Sequence, residues 1–368
     1  MTAEGLGPLF DRAQREVDER LPACQLAVAR NGELLGFETF GAATNDTRFL
    51  LWSCTKGVFA GVIWQLIGEG LLDVDRTVAS YVPEFATHDK DGITVEQLLL
   101  HTAGIPYAPL GPSRWWTSEG RREAFGRWRL NWEPGSRFEY HPLSAWWVLA
   151  ELALEVTGKD HRTLVAERVC DPLGLTSLRL GVPEDEQHDI AELFVVGAAA
   201  TPEECAAAGV FYGGPSTVPP DFALTMNAPA ARAVGVPAGG AVSTAADVAL
   251  YYQALLDDRL GLWDPAVLAD ATSVIRNTFA DVPKWGMPAN RSRGLVVRGD
   301  HDLAHWMMHF GPDTSPHAFG HDGAGGQIAW ADPETGLSFC FLTNGMDANG
   351  VHEALRNQDL ARLAAACA

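Results

Sequence analysis

A serine and a lysine three positions apart, in the run Ser53-Cys54-Thr55-Lys56, are the residues of this chain whose types and spacing most directly suggest covalent chemistry. At a helix start, positions three apart share a face, which brings a hydroxyl and an amine within hydrogen-bond reach. Serine is a poor nucleophile until a base takes its proton. Lysine can be that base only when uncharged, a state that burial and nearby positive charge favour. The helix N-terminus also stabilises a developing oxyanion, with the Ser53 backbone N–H as one donor. Among 27 basic residues the only lysines are Lys56, Lys90, Lys159 and Lys284, and none of the other three follows a serine at this spacing. A sequence that otherwise uses arginine, which stays charged, places an amine where a proton must be lost. The competing reading is a solvent-facing lysine in a first helical turn; the apolar neighbours Trp52, Val58, Phe59 and Val62 speak against it.

Two further segments carry candidates. In Phe138-Glu139-Tyr140-His141-Pro142, a phenol beside a base lysine can relay a proton to a leaving group, the alternative being a packed loop tyrosine. In Phe319-Gly320-His321-Asp322-Gly323-Ala324-Gly325-Gly326, glycines let a strand edge approach a ligand, its N–H groups can complete an oxyanion hole, and His321 can contact substrate; the alternative is a glycine-rich turn. His301, His305 and His309 recur every fourth residue, but no carboxylate or cysteine pattern supports them, so they read as scattered loop histidines and no metal site is expected. Cys54 reads as a small buried hydrophobe. Trp146-Trp147 reads as core, whereas Trp115-Trp116, after Pro112, is a candidate exposed wall of an acyl pocket.

The elements that must position these residues follow from pattern. Residues 8–20 have helical spacing, and two apolar runs flank Asn31-Gly32 as in a hairpin. The run RFLLWSCTKGVFAGVIWQLIGEGLL passes from an extended segment into a long apolar helix ending near Gly68–Gly70, with position 53 at the junction. Thr94 and Gln97 form a capping-box pattern before a helix over 94–100. Helices are expected at 143–156, closed by Thr157-Gly158, and from 160 to 180, ending at DPLGL. The Ala-, Gly- and Pro-rich stretch 197–240 reads as long loops. A helix over 244–256, capped by Ser243 or Thr244, precedes the strands GLVVRG, QIAWAD and LSFCFLTN and a final helix over 351–366. Strands at both ends and helices between them predict one antiparallel sheet flanked by the terminal helices, with a helical lobe beside it. The expected division is an α/β domain of 1–75 with 235–368 and a mainly helical domain of 76–234, the site lying in the cleft between them.

With 368 residues, 47% hydrophobic and 20% charged, the chain is an ordinary globular protein. Its formal charge of −20 disfavours nucleic acid and anionic membrane as partners. The opening MTAEGLGPLFDRAQREVDER lacks a basic n-region and an apolar h-region, and no window is long and apolar enough to span a membrane. Six cysteines without a CxxC pair read as reduced thiols, and a cytoplasmic location is expected.

Taken together, Ser53-x-x-Lys56, Tyr140 and His321-Asp322-Gly323 resemble, in order and rough spacing, the serine β-lactamase and penicillin-binding-protein superfamily. The segments LLLHTAGIP, EPGSRFEY, DPLGL and GGAVSTAADVALY resemble its class C-like branch of carboxylesterases, D-aminopeptidases, DD-peptidases and acyltransferases. The resemblance spans nearly the whole chain. It implies an α/β (α+β) fold of the β-lactamase/transpeptidase type and acyl-enzyme chemistry on a small-molecule ester or acyl substrate, without cofactor. In that scheme Ser53 attacks the carbonyl, Lys56 and Tyr140 shuttle protons, the N–H groups of Ser53 and Ala324 hold the oxyanion, and His321 stands where the family has Lys or His. One departure is clear: the family's Tyr-x-Asn is here Tyr140-His141-Pro142. Proline supplies neither hydrogen bond of the amide. That weighs against β-lactamase or D-amino-acid peptidase action and favours esters, with His141 as a candidate partial substitute. An acyltransferase is the rival within the same mechanism, and a non-catalytic binding protein of the same fold is the rival outside it.

Overall fold

The computed structural model describes residues 3–208, 220–282, 286–301 and 309–368. Helix α1 (Gly7–Glu19) leads into strands β1 (Ala23–Arg30) and β2 (Glu33–Gly41). Asn31 and Gly32, both at positive φ (57° and 81°), make the tight turn that the Asn-Gly pair predicts. Next come helix α2 (Thr55–Gly68), helix α3 (Ser144–Thr157) and helix α4 (Ala245–Leu256). Strands β3 (Val296–Val297), β4 (Phe319–Gly323), β5 (Gln327–Asp332) and β6 (Leu337–Thr343) and helix α5 (Gly350–Ala365) complete the chain. The main sheet has the order β2-β1-β6-β5-β4-β3, antiparallel throughout, so strands from both ends of the sequence meet at the β1–β6 pair, Cys24 opposite Thr343. The pattern predicts one antiparallel sheet joining both ends of the chain; strand β4 is the member it did not name as a strand.

Two features place the site. Helix α2 is buried from Thr55 to Leu66 without a polar face, so it runs through the interior rather than over a surface. Its first turn is therefore the natural end to present to a ligand. Strand β3 pairs with β4 only at Phe319 and Gly320, so His321–Gly323 continues past its neighbour and crosses the turn before α2. A Cβ at Gly323 would lie 2.7 Å from the Leu51 carbonyl oxygen and 3.1 Å from Trp52 Cβ, which is why that position is glycine.

Some element expectations need correction. Helix 160–180 stops at Leu173: Gly174, at φ 66°, caps it, and Arg179–Leu180 is a short strand pairing with Ala241–Ser243. The stretch 197–240 is not only loops. It holds helices Pro202–Ala207, Pro220–Thr225 and Pro229–Val234, each begun by the proline that suits a first turn; residues 209–219 lie outside the described residues. The Thr94–Gln97 capping box is present, on a helix limited to Val95–Leu99.

Helix α4 is tied to the sheet by Gln253, whose amide nitrogen donates to Ala29 O (3.0 Å), Gly336 O (3.1 Å) and Ser338 Oγ (3.0 Å), while its oxygen accepts from the Gly32 N–H (3.0 Å). Replacing Gln253 by leucine removes all four bonds, two of them fully buried. We expect a destabilisation of about 2–4 kcal/mol, read as a lowered thermal midpoint in a chain that still folds.

Candidate active site

Two side chains from distant segments, Lys56 and Tyr140, converge on the Ser53 hydroxyl. Phe49–Leu50 is a short strand paired with Ala241–Ser243, and the chain then turns through Trp52, at φ 47°, into the 3-10 turn Trp52–Cys54 and α2. A left-handed backbone at a tryptophan costs about 1–3 kcal/mol and persists only where its surroundings impose it. Lys56 Nζ lies 3.0 Å from Ser53 Oγ and donates to Ala238 O at 2.8 Å. From the loop before α3, the Tyr140 hydroxyl donates to the same Ser53 Oγ at 3.0 Å. The amine also lies 5.1 Å from the Tyr140 ring centroid and 5.8 Å from that of Trp146. Lys56 is fully buried. Burial pushes its amine well below the usual lysine value; Arg291 pushes the same way, against weaker pulls from Asp322 and Cys54. Burial raises the Tyr140 phenol, and the nearby Arg291 charge and the bond to Ser53 offset this only in part. The site thus favours a neutral amine and a protonated phenol on one serine oxygen.

His321 sits on β4 opposite Ala329 and is buried. Its Nδ1 lies 2.7 Å from the Asp322 carbonyl oxygen, so that nitrogen carries the proton, and its Nε2 accepts from Arg291 Nη1 at 3.0 Å. Burial lowers the ring to about 4, so it is neutral at ordinary pH. The expectation that His321 contacts substrate therefore meets a ring with both nitrogens engaged inside the protein; the β4 backbone is what reaches the Ser53 turn. Gly323 ends that strand, and Ala324, half-buried, follows at the hairpin tip.

The model of the family described as Beta-lactamase matches residues 10–364. The chain belongs to the beta-lactamase family. By that membership it is a serine hydrolase. It is 29% identical over 321 residues to the esterase/beta-lactamase LipL of Mycobacterium tuberculosis, an alignment covering 81% of this chain and 70% of LipL. Among solved structures, a family VIII carboxylesterase superposes with a TM-score of 0.79 at 27% identity, covering 99% of this chain and 98% of the other. A penicillin-binding-protein homologue from Caulobacter crescentus gives 0.77 at 26%, with the same coverage.

Within this beta-lactamase-family site, the roles of three residues were not apparent from sequence. His141 is not turned to Ser53: its Nε2 accepts from the Ile105 N–H (3.1 Å) and its Nδ1 faces the Glu139 carbonyl oxygen (2.6 Å), so it stiffens the loop and does not stand in for the missing amide. His101, at φ 58°, stacks on the Tyr140 ring with centroids 4.8 Å apart and accepts the His141 N–H on Nδ1 at 2.9 Å. It lies in the segment 98–106 that the resemblance quoted without giving it a role. Arg291 is fully buried, 5.2 Å from the Tyr140 centroid and 5.6 Å from that of Phe138. Sequence does not separate it from Arg293, which turns outward to Glu96 and Asp270.

The remaining candidates fall away from the chemistry or split. Trp146 and Trp147 are buried, and Trp146 also faces Lys56. Trp115 is buried against Trp147, correcting its reading as an exposed wall, whereas Trp116 is half-exposed. No group of three or more His, Cys, Asp or Glu side chains suited to a metal occurs among the described residues; His305 lies outside them. No helix among the described residues is long and apolar enough to cross a membrane. Cys54 is buried with its thiol donating to His321 O (3.1 Å), and burial pushes it well above the usual thiol value. Iodoacetamide at pH 8 should leave Cys54 unmodified in the folded protein and label it after denaturation; peptide mass spectrometry distinguishes the two.

Proposed function

We propose that this enzyme hydrolyses carboxylic esters through an acyl intermediate on Ser53, with Lys56 as general base and Tyr140 as the acid that protonates the leaving group. The observation that carries the reading is the buried amine at 3.0 Å and the phenol at 3.0 Å on one serine oxygen. With the Tyr140 proton directed to Oγ, the serine's own proton has an acceptor in the Lys56 lone pair. As Oγ attacks the ester carbonyl, that proton passes to Nζ, and the oxyanion is held by backbone N–H groups. The Ser53 N–H suits this role because it lies in the first turn of a helix, where donors lack an intrahelical acceptor. The Ala324 N–H, at the tip of the β4–β5 hairpin, is the second donor. Collapse expels the alkoxide, which takes its proton from Tyr140 while Lys56 reprotonates the phenol. Water then repeats the sequence to release the acid. On this reading the site lies between an α/β unit of 1–75 and 235–368 and a mainly helical unit of 76–234, in a cytoplasmic enzyme of small-molecule esters.

Esters are favoured over β-lactams and peptides because Pro142 offers no amide and His141 is committed to Ile105 and Glu139. The similarity to a family VIII carboxylesterase and to an esterase/beta-lactamase supports the same ranking. Acyl transfer, with an alcohol replacing water in the second half-reaction, uses the same groups and is tested by adding acceptors.

On a panel of nitrophenyl esters from acetate to octanoate, Ser53→Ala should abolish turnover and fluorophosphonate labelling; activity near that of the wild type would refute the assignment. Tyr140→Phe should lower kcat by about 10²–10⁴-fold, the range for loss of a positioned proton donor. Nitrocefin turnover should stay far below that of the preferred ester. Because the reactive amine is the unprotonated one, kcat/KM should fall as pH drops through the depressed Lys56 value and level off above it.

A further inference from the structure

The loop before β3 carries a device that the proposed mechanism does not yet use. Arg291 is held at its backbone by reciprocal bonds with Asn277, N–H to carbonyl at 3.1 Å in each direction. The turn that follows is fixed at Gly294, at φ 100°, where a Cβ would lie 2.7 Å from Ala60 Cβ on α2. These contacts aim the Arg291 side chain inward. Its hydrogen bond goes to an imidazole nitrogen, an uncharged acceptor, and its face lies against the rings of Phe138 and Tyr140. A guanidinium does not lose its proton in a protein, so a permanent positive charge is buried here and projected into the site.

We propose that Arg291 is a positioning residue of this site: clamped by His321 beside Tyr140, its fixed charge keeps a proton off the Lys56 amine. This rests on the reading of Lys56 as the base. The two cations flank one ring, Lys56 Nζ at 5.1 Å and Arg291 Cζ at 5.2 Å from the Tyr140 centroid, so they are no more than about 10 Å apart. At an effective dielectric near 20, a unit charge at about 10 Å displaces a titration by about one pH unit. The groups facing Lys56 from every side fit this account. Asp322 on β4 and Cys54 on its own turn raise the amine, Tyr140 and the neutral His101 and His321 rings bring no charge, and Arg291 is the cation that lowers it. His321, neutral and bonded at both nitrogens, is the link that holds the guanidinium in place.

The test is the pH profile of kcat/KM on a nitrophenyl ester for Arg291→Met and Arg291→Gln. The glutamine variant keeps a donor for His321 Nε2 without the charge, so it reads the electrostatic effect even where the methionine variant fails to fold. Removing the charge should move the acid limb upward by about one pH unit, leaving a plateau at alkaline pH. An unmoved limb in Arg291→Gln, or one that moves downward, overturns the proposal. Either failure leaves the ester-hydrolase reading intact so long as Ser53→Ala remains inactive.

Discussion

An amine buried with no carboxylate in contact among the described residues is the constraint around which this fold is arranged. Lys56 donates to a backbone carbonyl and touches a serine oxygen, with aromatic faces on its remaining sides. Placing an ammonium in such surroundings costs several kcal/mol, whereas the neutral amine costs far less, so the fold itself selects the form with a lone pair. That selection requires α2 to run through the core, because a surface helix would let water solvate the charge. Residues 55–66 meet the requirement by being buried on every face.

Strand β4 answers a second requirement. Charge that develops on a substrate carbonyl must meet backbone donors already in place, and these come from a strand end brought against the turn at Ser53. Gly323 permits the approach, and the pairing of β4 with β5 from Phe319 to Gly323 holds the strand rigid up to that point. Two left-handed residues frame the site: Trp52 directs the chain into α2, and His101 backs Tyr140. Strain of this kind is sustained by the long sheet and the apolar helices, which supply most of the stabilising burial.

Much of this was legible in the sequence for reasons that can be named. The sheet and its flanking helices were written in local periodicity and in the Asn31-Gly32 turn, and the Ser53–Lys56 pairing in a spacing that a helix converts directly into proximity. Tyr140 and β4 were visible only as segments; their approach to Ser53 depends on tertiary packing that no local pattern encodes. The short helices within 197–240 were missed because their apolar residues are too few to show a period, although the prolines at 202, 220 and 229 marked their first turns. Arg291 was hidden for a different reason. Arginine is ordinarily a surface residue, and only the fold shows that Arg291 points inward while Arg293, two positions on, pairs with Glu96 and Asp270.

That contrast bears on how the site accommodates proline at position 142. An amide at position 142 could act only through short-range hydrogen bonds, which demand close placement of one side chain. A buried guanidinium acts through a field that falls slowly with distance in a poorly screened interior, so it can stand on a different loop and still bias the same proton. The loop between His101 and Tyr140 is then free to be stiffened by His141, whose two nitrogens close onto Ile105 and Glu139 rather than onto a ligand. What is lost is a directional partner for an amide substrate; what is kept is an uncharged base. An ester, whose carbonyl needs the base and the oxyanion donors but offers no N–H to be oriented, is the acyl donor that such a site serves with least loss.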